Sequence, residues 1–146
     1  MTSSATSDQT FVLAVAAAWN RMERRLDGAL STIKGISFAE YRLLRQLRGA
    51  PPLGMSRVDL AEAVGLTPSG VTRALRPLEK LGFVQTVKSE RDARRAMASL
   101  TEAGTELADD ASGVVNDVAA QMLARSRAGD SKRDSLVEFL VDLVGL

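Results

Sequence analysis

The sequence contains no cysteine and no histidine, and the two absences close off several kinds of chemistry. Without cysteine there is no disulfide, no thiolate nucleophile and no thiol-based redox sensor. Without histidine as well, Cys/His zinc sites and imidazole acid–base catalysis are excluded. A metal site built only from carboxylates has no supporting spacing, so neither metal nor cofactor is expected. A chain free of cysteine fits a reducing compartment, and a cytoplasmic protein is expected. Aromatic residues are scarce: four Phe, one Trp and one Tyr leave most of the core to Leu, Val, Ala and Met. Long apolar runs are also missing. The longest, Phe11 to Trp19, is far too short to span a membrane. No basic segment precedes it and Arg21, Glu23, Arg24 and Arg25 follow it, so it does not read as a signal peptide.

What is present, 45% hydrophobic and 25% charged residues in 146, suits one soluble domain carrying extra helices. Net charge is only +1, but it is unevenly spread. Residues 1–54 hold seven Lys/Arg against four Asp/Glu, residues 55–101 eight against five, and residues 102–146 four against nine. A polyanion would therefore meet the middle of the chain before its acidic tail.

Apolar positions at Val12, Val15, Trp19, Met22, Leu26, Ala29 and Ile33 step by three and four, the mark of a long amphipathic helix, with Gly35 as its C-terminal cap. Ser37 with Glu40 forms a capping box for a second helix to about Arg48. Residues 49–54, with two prolines and two glycines, form a loop. Ser56 caps a short helix that Gly65 stops. Thr67 and Pro68 then start another, with Thr at the N-cap and Pro at the first helical position. Two short helices around a tight glycine-containing turn form a helix-turn-helix. In the second, Val71, Leu75 and Leu78 face inward while Ser69, Thr72, Arg73 and Arg76 share the outward side. Pro77 should kink or loosen its last turn. Phe83–Val87 and Arg95–Leu100 read as strands flanking a charged tip, a β-hairpin wing. Thr101 caps a helix running to about Arg127, and a last helix follows Asp130. The fold class is mainly α with a small β-hairpin wing, a winged helix-turn-helix flanked by dimerisation helices.

This surface has the chemistry for duplex DNA. Short polar groups near a helix N-terminus approach base edges in the major groove, and Arg further along reaches bases or phosphates. Ser69, Thr72, Arg73 and Arg76 supply that arrangement, and Gly70 allows close approach of the backbone. Lys88, Arg91, Arg94 and Arg95 make a basic wing tip able to follow the backbone or enter the minor groove. The competing readings are a solvated helix face and, for the wing, simple protection of a strand edge. Asp109-Asp110 reads as a solvated helix face. No nucleophile–base pair or phosphate-cradling glycine loop occurs, so an enzyme is not expected.

The stretches Ile36–Leu44, Asp59–Arg73 and Leu78–Val84, the wing's Asp92-Ala93-Arg94 and then Ser99–Gly104 together resemble the MarR family of bacterial transcription factors. The resemblance implies a homodimer that represses or activates promoters and is released by a small aromatic or lipophilic ligand. By position, Ser69, Thr72, Arg73 and Arg76 would face the major groove, Arg94 would enter the minor groove, and Asp92 would order the wing by holding a nearby Arg. Ala93 departs from the basic or polar residue common there, which implies a looser hold on DNA at the tip. Trp19, Met22, Phe38 and Tyr41 gather near one helix junction, and the resemblance makes them candidates for an effector cavity, against core or dimer seam. Residues 36–100 would form the DNA-binding domain, with 1–35 and 101–146 forming the dimerisation region, since their apolar stripes exceed what a small winged helix covers. A regulator without a ligand, or a winged helix used for protein or RNA contacts, stand as the alternatives.

Overall fold

The computed structural model describes residues 5–88 and 96–145. The element order is α1 (Asp8–Lys34), α2 (Phe38–Arg48), β1 (Met55–Ser56), α3 (Arg57–Val64), α4 (Pro68–Lys80), β2 (Val84–Val87), β3 (Met97–Leu100), α5 (Glu102–Leu123) and α6 (Asp130–Val144). Local chemistry sets most of these boundaries. Ser37 accepts from the Glu40 amide while the Glu40 carboxylate accepts from the Ser37 amide, so the capping box is complete. Ser56, Thr67 and Thr101 each accept from the amide three residues on. Gly35 and Gly65 close α1 and α3 in the left-handed region, where a side chain is costly. Ser37→Ala is expected to cost ~1 kcal/mol through the lost cap, read as a lower urea midpoint at unchanged slope.

The core lies where α2, α3 and α4 meet the sheet and the first half of α5. Leu30, Leu43, Leu44, Leu60, Val71, Leu75 and Leu78 are fully buried there. Helix α1 lies along α5, and α2 packs on α5 as well as on α3 and α4. Three ties fix that joint: Lys34 to Asp110 at 3.3 Å, Arg48 to Asp109 at 2.9 Å, and the Phe38 amide donating to Asp27 at 2.8 Å. The hydrogen bond and then the charge of Asp109 raise the Arg48 pKa above its usual value. The adjacent Asp109 and Asp110 are thus solvated carboxylates paired with cations on the neighbouring helices.

Four features differ from what the sequence predicts. The sheet has three strands in the order β1-β3-β2, and the two-residue β1 pairs Met55 with Ala98 and Ser56 with Met97. Helix α4 runs unbroken through Pro77 to Lys80. Pro77 lies on the exposed side, where water can take the place of the amide proline lacks. Near its C-terminus α1 buries Leu30 rather than Ala29 and Ile33, and Ile33 is 60% exposed. Helix α5 stops at Leu123, where the Ser126 amide turns back to the Leu123 carbonyl. Among the described residues no helix is long and apolar enough to cross a membrane, and no cluster of three or more acidic residues is placed to hold a metal.

Candidate nucleic-acid interface

Helices α3 and α4 are separated by Gly65, Leu66 and Thr67. Helix α4 is sharply two-sided: Val71, Leu75 and Leu78 are buried while Ser69, Arg73, Arg76 and Lys80 are exposed and Thr72 is half-buried. At its start Thr67 Oγ1 accepts from the Gly70 amide at 3.1 Å and lies 3.2 Å from Ser69 Oγ. A Cβ on residue 70 would sit 3.1 Å from Thr67 Oγ1, so glycine there leaves room for the cap. Thr72 Oγ1 donates back to the Pro68 carbonyl at 3.1 Å. Neither Arg73 nor Arg76 is ion-paired among the described residues. The four residues expected on the outward face of this helix therefore share it.

The root of the wing is fixed to α4. Glu79 Oε1, in the helix's last turn, accepts from Thr86 Oγ1 on β2 at 2.5 Å and from Arg57 Nη2 at the start of α3 at 3.3 Å. Antiparallel pairing of Val84–Val87 with Met97–Leu100 makes the hairpin stem. Lys88 is exposed at the end of that stem. Arg91, Asp92, Arg94 and Arg95 lie outside the described residues.

A second feature lies where α1, α2, α3 and α5 meet. Trp19, Phe38 and Tyr41 form an aromatic row with ring centroids 5.9 and 6.0 Å apart. They line a cavity of about 400 Å³ with Arg42, Arg45, Gln46, Ala63, Val64, Ser112, Val115 and Asn116. Three of the four residues expected at an effector cavity thus meet in one. Met22 does not join them: it lines a separate groove with Arg21, Arg25, Met122 and Arg125. A helical step of three from Trp19 rotates Met22 away from Phe38, a divergence that spacing alone does not reveal. Arg42 and Arg45, which spacing does not mark, bring two cations to the cavity, with no acid among its described lining residues. On α2 alone they look like a solvated face, and only α3 and α5 enclose them.

Residues 34–95 match the model of the MarR family. Solved structures extend the likeness over nearly the whole chain. Sco3205 of Streptomyces coelicolor, a MarR-family transcriptional regulator solved in complex with DNA, is 26% identical with a TM-score of 0.84, covering 94% of this chain and 85% of that one. Rv2887 of Mycobacterium tuberculosis, a MarR-family protein in complex with salicylic acid, is 29% identical with a TM-score of 0.67 over 94% and 96%. CouR of Rhodococcus jostii RHA1, bound to p-coumaroyl-CoA, shares the fold at 21% identity, with a TM-score of 0.78 over 97% and 95%. Comparison with curated proteins finds no match. Over residues 34–95 the chain is thus similar in sequence to the MarR family, and it shares a winged-helix fold almost end to end with transcriptional regulators of that family.

Proposed function

We propose that the chain is a DNA-binding transcriptional repressor, acting as a homodimer on a near-palindromic operator and released by a small aromatic anion. The observation that carries the DNA reading is the outward face of α4. Ser69, Thr72, Arg73 and Arg76 stand together on a helix whose N-terminus and flank meet the geometry of major-groove readout. The DNA complex of Sco3205 supports it. Residues 36–100 form the DNA-binding domain, and Lys88, Arg91, Arg94 and Arg95 serve as the wing's phosphate and minor-groove contacts, ordered by Asp92.

The homodimer is supported by what a single chain leaves uncovered. Helix α6 buries no residue, although Leu136, Val137, Phe139, Leu143 and Val144 line it and Phe139 packs edge-on against Phe11 of α1 at 5.4 Å. Val12 and Leu13 on α1 are 59% and 61% exposed. Apolar surface on this scale marks an association site, and a second copy would cover it with segments 1–35 and 101–146. Two-fold pairing would set two α4 helices about one DNA turn, ~34–36 Å, apart.

The effector reading is supported by the cavity, whose lining combines the rings of Trp19, Phe38 and Tyr41 with the guanidinium groups of Arg42 and Arg45. That pairing selects a flat aromatic anion, and the salicylic acid bound by Rv2887 is of that kind. The function is tested by a gel shift with duplex from the intergenic region beside the gene. Specific retardation is expected, and preference for RNA would point to the alternative use of a winged helix. Arg94→Ala should weaken duplex binding roughly 10-fold without lowering the melting temperature. Unchanged affinity would count against the wing's role.

A further inference from the structure

The cavity and the helix-turn-helix share one side chain. Arg42 Nη2 donates to the Val64 carbonyl oxygen at 2.7 Å, and Arg42, Ala63 and Val64 all line the cavity. Val64 is the last residue of α3. The final carbonyls of a helix find no partner within it, and this end meets its needs in two ways. The Gly65 and Leu66 amides both return to the Ala61 carbonyl, whereas the Val64 carbonyl relies on the Arg42 guanidinium. Only Gly65 and Leu66 separate that contact from Thr67, the N-cap of α4.

We propose that Arg42 couples the cavity to the DNA-reading helix. Its guanidinium holds the 64–67 turn in the position that presents α4, and an anion entering the cavity competes for it. The proposal rests on the reading of the cavity as the effector site. A carboxylate is the stronger acceptor, because its hydrogen bonds with a guanidinium are charge-assisted and two-pronged. Once Arg42 turns to the ligand, the buried Val64 residue keeps a carbonyl without its donor, a costly state. The turn relieves that cost by shifting, and α4 moves with its cap. The ligand shifts the balance only by the difference in its affinity for the two states. DNA must weaken ligand binding by the same factor.

The test compares Arg42→Met, which keeps the stem and removes every donor, with Arg42→Lys, which restores a charge and a donor. Without any ligand, Arg42→Met is expected to bind duplex roughly 10-fold more weakly, the loss of one hydrogen bond to a charged group, with cooperative unfolding retained. Arg42→Lys should recover most of the affinity. Amide exchange at Gly65, Leu66 and Thr67 should quicken in Arg42→Met, and in wild type on adding salicylate as the probe, while exchange in the Leu43–Leu44 core stays slow. Salicylate should release DNA from wild type and add little to Arg42→Met. Wild-type DNA affinity in Arg42→Met, or equal release of both proteins by salicylate, would overturn the proposal. If Arg42→Met does not fold, unchanged exchange at residues 65–67 in salicylate-saturated wild type overturns it instead. Calorimetry showing that wild type does not bind salicylate would remove the effector reading of the cavity, and the coupling role would then be decided by Arg42→Met without ligand.

Discussion

Gly104→Ala is expected to destabilise the protein by about 3 kcal/mol, at the upper end of overpacking changes, and to lower Tm by roughly 6–12 °C for a chain of this size. Gly104 sits in the first turn of α5, its amide donating to Thr101 Oγ1 at 3.1 Å. A Cβ there would lie 1.9 Å from the Phe83 carbonyl oxygen and 2.8 Å from its carbon. Neither is the far end of a flexible side chain. The same carbonyl accepts from the Thr101 amide at 3.1 Å, and the Thr101 hydroxyl donates to the Gly82 carbonyl at 2.6 Å. Accommodating one methyl group therefore means lifting the start of α5 away from the root of the wing and breaking these bonds. Because α5 also carries α1 and the proposed dimer surface, DNA affinity should fall with stability. Thermal unfolding reads the first effect. A melting temperature within ~2 °C of wild type, less than 1 kcal/mol, would show that the α5–wing junction yields more readily than its geometry implies.

Replacing Arg73 and Arg76 together by alanine is expected to cost ~100-fold or more in operator affinity, at ~1–3 kcal/mol for each base or phosphate contact. Both side chains are exposed on α4 and unpaired among the described residues, so their removal should leave folding intact. Salt dependence separates their roles. Each phosphate contact adds about 0.9 to the slope of log affinity against log salt, so if both arginines grip phosphates the double variant should flatten it by about 2. An unchanged slope with relaxed sequence preference would instead assign both to base edges. Intact affinity would leave α4 as an ordinary solvated helix face.

Features governed by local chemistry are legible in the sequence. Ser37, Ser56, Thr67 and Thr101 cap the helices they are expected to cap, and Gly65 makes the turn between α3 and α4. Val71, Leu75 and Leu78 point inward opposite Ser69, Arg73 and Arg76, because a helical period needs no partner to be read. Features set by distant partners are hidden. Strand β1 is two residues long, too short for alternation, and exists because Met55 and Ser56 find β3. The steps Leu26–Leu30 and Ala29–Ile33 both fit a helix, and only packing against the rest of the core selects Leu30 for burial. The rule for helix interiors predicts a disturbance at Pro77, yet its exposed position spares the helix from breaking. Arg42 and Arg45 lack any local signal for a cavity, since its walls come from α1, α2, α3 and α5.

Titration of a labelled duplex from the flanking intergenic region with the wild-type protein tests the central claim most directly. Two chains per duplex are predicted, with binding much tighter than to an unrelated duplex. With ~6–10 phosphates contacted, affinity should fall by about 10³–10⁵ between ~50 and ~200 mM salt. Equal affinity for any duplex, indifference to salt, or binding by single chains would contradict a dimeric, α4-directed reader of DNA.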